Sequence, residues 1–257
     1  MSQNAYFVRS DHDRYLPTEH VSGAWNPSEQ HFSPLGGLIT HAIETHSEQR
    51  GLQLSRIGFD ILGTLAMTEC RIEVRTLRPG RTIELVEALV HIGDRTAVRA
   101  RAWLLVAGDT SAVTGGASAP LPDPDGFGKQ PLSSVWPGGY IASLDARQVR
   151  APERGRGTAW ISSDVDLVRD ERVGPVASYV ALVDTANGVA VRESPQEWMF
   201  PNVDLTVHLH RRPEGPWVGL DTTVAFGPTG LGLTSTVLHD LEGEVGRAEQ
   251  SLTVRPL

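Results

Sequence analysis

The sequence predicts an α+β fold made of two copies of one unit, each an antiparallel sheet wrapped on a helix. Three observations point there. Strand-like runs follow one another through connections short enough for hairpins, so neighbouring strands should run antiparallel. Each half holds one mostly apolar helical stretch, and the order strand, helix, four strands occurs twice on either side of a Gly/Pro-rich segment. The chain has 257 residues, 40% of them hydrophobic and 21% charged, which suits one large domain or two fused small ones and provides ample material for a core.

The first unit, residues 1–107, opens with a short strand-like run, Tyr6 to Val8, then a polar loop and Gly23-Ala24-Trp25. Ser33 is placed as an N-cap with Pro34 at the first helical position, and Leu35, Leu38, Ile39, Ala42 and Ile43 then share one face up to a stop at Gly51. Gly36 and Gly37 weaken the first turn, which implies that something packs close to the backbone there. β-branched, roughly alternating runs follow at Arg56–Leu62, Glu69–Leu77, Thr82–Ile92 and Thr96–Val106, with turn signals at Arg78-Pro79-Gly80 and Gly93-Asp94.

Residues 108–139 are rich in Gly, Pro, Ser and Asp and read as a surface linker, partly mobile, with Phe127, Val135 and Trp136 as anchors to the body. The second unit, residues 140–257, repeats the first. Tyr140-Ile141 answers Tyr6-Phe7, Thr158-Ala159-Trp160 answers Gly23-Ala24-Trp25, and Val173 to Val191 forms one helix matching the one after Ser33. Pro175 falls in its first turn and Gly188 where a left-handed cap would end it. Arg212-Pro213-Glu214-Gly215 answers Arg78-Pro79-Gly80, Trp217–Phe226 answers Thr82–Ile92, and Gly246–Val254 answers Val98–Val106.

Composition narrows the partners. A net charge of -8 speaks against nucleic acid or an anionic membrane as the default partner, and any anionic ligand needs a local arginine cluster. Cys70 is the only cysteine, so no internal disulfide forms, and the segment from Met1 to Arg14 lacks the apolar core of a signal peptide. The longest apolar run, Ala102 to Ala107, is too short to span a bilayer. A cytoplasmic protein without membrane insertion is expected.

The helix from Val173 to Val191 carries one carboxylate, Asp184, on the side that also holds Ala177, Val180, Ala181 and Gly188, so small residues leave room beside the acid. Either Asp184 caps a turn with Asn187 and Gly188, or it does chemistry. Other constellations read as structural or open. His208 and His210 alternate on one strand face without a third partner, so no metal site is expected. Arg211-Arg212 and the series Arg71, Arg75, Arg78, Arg81 suit either phosphate contacts or the charges that guard an edge strand. Trp25, Trp160 and Trp198 suit core packing better than the lining of a ligand tunnel. Gly227-Pro228-Thr229-Gly230 lacks the lysine and helix of a phosphate loop and is read as a turn. There is no G-x-S-x-G elbow, and Cys70 lies in a strand-like context, so no covalent nucleophile stands out.

Several of these segments together resemble a known family: the GG helix and R-P-G turn of the first half, and the D-T-A-N-G helix, the P-N-V-D-L-T-V-H-L-H-R-R-P strand and the G-R-A-E-Q-S-L-T-V end of the second. They look like the TesB-type acyl-CoA thioesterases, more narrowly the actinobacterial thioesterase-like branch of the double-hotdog superfamily. The resemblance implies a double hotdog: two antiparallel sheets, each wrapping a long central helix, with the site between the halves. It further implies an acyl-CoA substrate, no cofactor beyond the coenzyme A of that substrate, and a homo-oligomer. Family members hold a hydrolytic water with an Asp, a Ser or Thr, and a Gln. Carried over, these positions fall on Asp184, Asn202 and Gln250, the middle one an amide in place of a hydroxyl. An amide donates a hydrogen bond as a hydroxyl does, so Asn202 signals a retained geometry, a changed substrate or a dead site.

The internal repeat tests this independently of the family. Superposing Arg99-Ala100 on Arg247-Ala248 sets Gln250 opposite Ala102, and superposing the helices sets Asp184 opposite Ile43 or Glu44. Polar groups needed only for structure should recur in both copies, so the one-sidedness favours a single functional site, with Glu44 as the rival acid. In the resulting scheme Asp184 is the general base, Gln250 fixes the water, and Asn202 completes the cage or polarises the carbonyl. The alternative on the same scaffold is a non-catalytic acyl-CoA or lipid-binding protein. Enoyl-CoA hydration is weaker, because it calls for an Asp–His pair and no histidine lies near Asp184 in the sequence.

Overall fold

Alternation decides most of this fold. Along 95–106 the side chains of Val98, Ala100, Ala102 and Leu104 are buried while Arg99 and Arg101 point out, and the same two-residue rhythm runs through 246–252. The computed structural model describes residues 4–47 and 51–257. Its first half contains β1 (Ala5–Asp11), β2 (Arg14–Pro17), α1 (Phe32–Ser47), β3 (Leu52–Ile61), β4 (Cys70–Arg78), β5 (Ile83–Ile92) and β6 (Arg95–Val106). After the linker come α2 (Gly139–Ala142), β7 (Leu144–Glu153), β8 (Arg156–Ser163), β9 (Asp166–Val168), α3 (Pro175–Val183), α4 (Ala186–Val189) and β10 (Trp198–Met199). β11 (Asp204–Leu209), β12 (Val218–Phe226), β13 (Leu231–Asp240), β14 (Gly243–Thr253) and β15 (Arg255–Pro256) complete the chain.

The expectation of two separate sheets is corrected. Among the described residues thirteen strands form one sheet in the order β7-β8-β12-β13-β14-β11-β3-β6-β5-β4-β2-β1-β9, and β10 pairs with β15 apart from it. The halves are sewn together by β3 and β11, antiparallel with Phe59 opposite Leu205 and Ile57 opposite Val207. Left as edges, both strands would expose unpaired backbone groups, and joining them removes that cost. The sheet is not purely antiparallel either. β9, from the second half, runs parallel to β1 and covers the edge of the first half.

Strand register exposes the repeat in detail. Val74 pairs with Ala88 and Ala88 with Ala100, and 148 residues on Thr222 pairs with Thr236 and Thr236 with Ala248. On this register Ala102 is the counterpart of Gln250, as the superposed last hairpins imply. Two other echoes shift. Trp217–Phe226 answers the strand of Cys70–Arg78, not Thr82–Ile92, and Arg212–Gly215 answers the connection from β3 to β4. Trp160 lies on β8, the counterpart of β2, and so does not match Trp25. The second half also has the longer connection after its helices, where Val189 ends α4 and Asp204 begins β11.

The helices meet where the sequence left room. A Cβ on Gly37 would collide with Ala181 Cβ and come within 2.9 Å of the Ala177 carbonyl oxygen, so α1 and α3 touch nearly backbone to backbone. Leu35, Leu38, Ile39 and Ile43 of α1 and Val180 and Val183 of α3 are fully buried around that contact. α1 begins one residue before Ser33, and the expected N-cap lies inside the helix. The single helix from Val173 to Val191 is also corrected. α3 ends at Val183, Asp184 is its C-cap (φ -65°, ψ -10°), and one further turn restarts at Ala186. Thr185 donates to the Leu182 carbonyl three residues back, the tighter winding that closes many helices. Gly188 therefore lies within α4 and its φ is not left-handed.

The linker is fastened at several points. Trp136 is buried and its Nε1 donates to the Gly188 carbonyl at 3.2 Å, Trp160 Nε1 donates to the Pro122 carbonyl at 2.8 Å, and Glu244 accepts the Ser118 N–H at 2.7 Å. Phe127 is half-buried, whereas Val135, expected as an anchor, is exposed.

Candidate active site

The break between α3 and α4 turns Asp184 inward, at the end of the most apolar helix in the chain. Gln250 arrives from the inward face of β14, between Ala248 and Leu252, and Asn202 from the residues just ahead of β11, bridged to Leu252. The structure brings the three together. Asp184 Oδ1 accepts from Asn202 Nδ2 and from Gln250 Nε2, both at 2.8 Å. Asn202 Nδ2 also donates to the Asp204 carbonyl at 3.0 Å, which fixes the amide's orientation. Gln250 is 1% exposed, and its Oε1 has no partner.

Burial governs the acid. Loss of solvation pushes the Asp184 carboxyl up to about 7, and the amides of Asn202 and Gln250 hold it back from a larger rise. Two amide donors on one oxygen leave Oδ2 free. It faces His31 Nδ1 at 3.8 Å.

His31 is the residue the sequence reading missed. No histidine is near Asp184 along the chain, yet folding seats His31 beside it, immediately ahead of α1. Its ring lies against Tyr140 at a centroid distance of 4.2 Å, and Tyr140 Oη is 2.6 Å from Thr185 Oγ1. Burial pushes the imidazole down to about 3, so the ring is neutral at physiological pH. One signal existed in the sequence: a polar aromatic residue directly before a helix start whose first turn contains a glycine pair.

Asp184, Asn202 and His31 open onto a cavity of about 500 Å3 walled by both halves and by the linker. Trp25 and Leu65 come from the first half, and Trp136 from the linker. Trp25 meets Trp136 and Phe200 edge to face, at 4.9 Å and 5.2 Å. Of the other tryptophans considered for a tunnel, Trp160 is core and Trp198 lies at the surface. The arginine series does not reach this cavity: Arg75 pairs with Glu87, Arg71 with Glu73 and Asp13, and Arg211 with Asp240. Among the described residues the one arginine on its wall is Arg255 of β15, with no carboxylate partner. Cys70 is sealed in β4, where burial pushes its thiol up to about 12 and makes it a poor nucleophile. His208 and His210 are exposed, and among the described residues no group of three His, Cys, Asp or Glu could hold a metal.

The rival acid stands elsewhere. Glu44 borders a separate cavity of about 280 Å3 with His41, Leu54, Leu104, Arg172 and Arg212. By strand register Leu54 is the counterpart of Asn202 and Leu104 of Leu252. This is the equivalent place in the repeat, without the amides.

The family model of the acyl-CoA thioesterase C-terminal domain matches residues 117–254, and that of the N-terminal domain matches residues 21–105. No curated protein matches the sequence. Among solved structures, a conserved protein with a hot dog fold from Alicyclobacillus acidocaldarius superposes with a TM-score of 0.76 at 14% identity, over 96% of this chain and 95% of that one. The tesB protein of Mycobacterium avium subs paratuberculosis gives 0.70 at 16% identity, over 97% and 96%. The acyl-CoA thioesterase II TesB2 of Mycobacterium marinum gives 0.65 at 14% identity, over 98% and 96%. At such identities the likeness establishes the hotdog fold. No helix of the described residues is long and apolar enough to cross a membrane.

Proposed function

The chain belongs to the acyl-CoA thioesterase family and is a thioester hydrolase, and from that premise we propose that it hydrolyses acyl-CoA with a water activated by Asp184. The observation that carries this reading is a carboxylate with one oxygen held by two amides and the other free, beside a 500 Å3 cavity, with burial lifting its pKa to about 7. A base poised near working pH is half ionised and can both take and return a proton.

Water held at Asp184 Oδ2 loses a proton to the carboxylate as its oxygen bonds to the thioester carbon. The tetrahedral intermediate collapses, the C–S bond breaks, and the proton on Asp184 passes to the departing sulfur. Free acid and coenzyme A result. In this reading the amides grip the carboxylate, to which both donate, where the sequence expectation has Gln250 fix the water. Gln250, away from the cavity wall, is a positioning residue, while Asn202 lies on the wall and both grips Asp184 and borders the substrate. Asn202 in place of a hydroxyl therefore fits a working site. Arg255 is the cation placed to meet a phosphate of coenzyme A. Enoyl hydration would need His31 to pass a proton on the Asp184 side, where its Nδ1 already accepts the Ser33 N–H.

The test is thiol release from short, medium and long acyl-CoAs, run beside Asp184→Asn. Release by the wild type alone is expected, with the panel supplying the chain-length preference. Release from no member of the panel, or equal release by Asp184→Asn, overturns the reading.

A further inference from the structure

The base and its supports leave one requirement of acyl transfer unmet: a donor for the charge that develops on the carbonyl oxygen. His31 has the geometry for it. Its Nδ1 accepts the Ser33 backbone N–H at 3.1 Å, so that nitrogen carries no hydrogen, and a neutral ring must then carry its hydrogen on Nε2. The ring is neutral because burial pushes its pKa down to about 3. Nε2 has no protein partner among the described residues and is not among the sealed polar atoms. The 14% of the side chain that stays exposed belongs to a residue on the cavity wall, so the free N–H has the cavity to point into.

The ring is also held still. Stacking on Tyr140, whose hydroxyl meets Thr185 next to Asp184, ties the imidazole to the same helix end as the base. Oxyanion stabilisation depends on a donor placed before the charge appears, and a clamped, uncharged imidazole meets that need without itself titrating.

We propose that His31 is the oxyanion donor of this thioesterase, its Nε2–H bonding the thioester carbonyl oxygen while water attacks from the Asp184 side. No proton leaves the ring. The hydrogen bond tightens as the carbonyl becomes an alkoxide and relaxes when the C–S bond breaks. This assignment rests on the thioesterase reading and adds a catalytic residue from the first half to an acid from the second.

His31→Asn separates this role from a structural one, because asparagine preserves an acceptor for the Ser33 N–H at the start of α1 but withdraws the ring donor. With the acyl-CoA that wild type turns over best, kcat should fall by roughly a hundred- to a thousandfold. The rising limb of the pH profile should stay near the wild-type position and the melting temperature should change little. A second readout does not depend on turnover. In Asp184→Asn loaded with carbonyl-13C acyl-CoA, the infrared stretch of the bound carbonyl should lie below its solution frequency, and adding His31→Asn should abolish that shift. Should the wild type release no thiol from any acyl-CoA, the thioesterase reading itself fails. If it does release thiol, while His31→Asn keeps kcat within threefold or the carbonyl shift survives the double substitution, His31 is not the donor. A variant that fails to fold for rate measurement is replaced by His31→Ser, whose hydroxyl oxygen can still accept the Ser33 N–H and is too short to reach the place of Nε2, with the same two outcomes.

Discussion

Two cavities occupy equivalent places in the repeat, and only one of them holds an acid gripped by two amides. In the second-half cavity Asp184 is gripped by Asn202 and Gln250; in the first-half cavity the strand counterparts of those amides are Leu54 and Ala102, and Ile43, buried in the core, or Glu44 stands where the acid would be. Burial raises the Glu44 carboxyl, with Arg212 opposing, much as burial raises Asp184. A raised pKa alone therefore does not make a site. The difference lies in the donors: two amides fix one oxygen of Asp184, whereas Glu44 keeps a buried oxygen that has no partner.

The strongest way to break that contrast is to neutralise each acid in turn. Asp184→Asn should lower kcat/KM for acyl-CoA by about 10²- to 10⁴-fold, the ordinary worth of a general base, whereas Glu44→Gln should stay within about twofold of wild type. Comparable losses in both variants would mean that the halves share the work. Next in size is Gln250→Ala, which gives the second half the residue of the first. Removing one donor to a buried carboxylate costs about 1.5–3 kcal/mol, or roughly ten- to a hundredfold in rate at pH 7. The rising limb of kcat/KM, expected near pH 7 in the wild type, should also move to higher pH. A lower rate with an unmoved limb would place Gln250 on the water and not on the acid.

Stability gives the smaller effects. Gly37→Ala should cost about 1–3 kcal/mol, read as a lower denaturation midpoint, because the new methyl group meets Ala181 and the Ala177 carbonyl where the two helices cross. Asp184 also writes itself into the pH dependence of folding. Its folded pKa lies above that of the unfolded chain, so the folded state retains a proton that the unfolded state gives up. The corresponding stabilisation is complete below the ordinary carboxylate range and lost as pH rises through about 7. Asp184→Asn should remove that decline, and parallel stability curves for variant and wild type between pH 4 and 8 would contradict it.

Elements with strong periodicity were legible in the sequence. The alternation of Val98 to Leu104 and the capping proline at Pro175 describe β6 and the start of α3 closely. Asp184, Asn202 and Gln250 could be picked out together through family resemblance, and Gln250 also through the repeat, because it sits on a regular strand whose counterpart carries Ala102. What stayed hidden depends on distance along the chain. His31 meets Asp184 only after α1 and α3 dock, and the seam between β3 and β11 pairs strands whose partners no local pattern reveals. The break at Asp184 was missed because the apolar spacing continues past it, although the backbone does not.

The seam carries a burden that begins before the protein is complete. A ribosome delivers β3 well before β11, so β3 must wait as an open edge, with the glycine face of α1 also uncovered, until its partner strand emerges. Long-range pairing of this kind is slow relative to local hairpins. β3 is protected during the wait by its own composition: Arg56 and Asp60 place opposite charges along the edge and Gly58 weakens it as a template, the same devices that keep sheet edges from joining to strangers. Replacing Arg56 and Asp60 by valine should therefore be felt first as aggregation during synthesis.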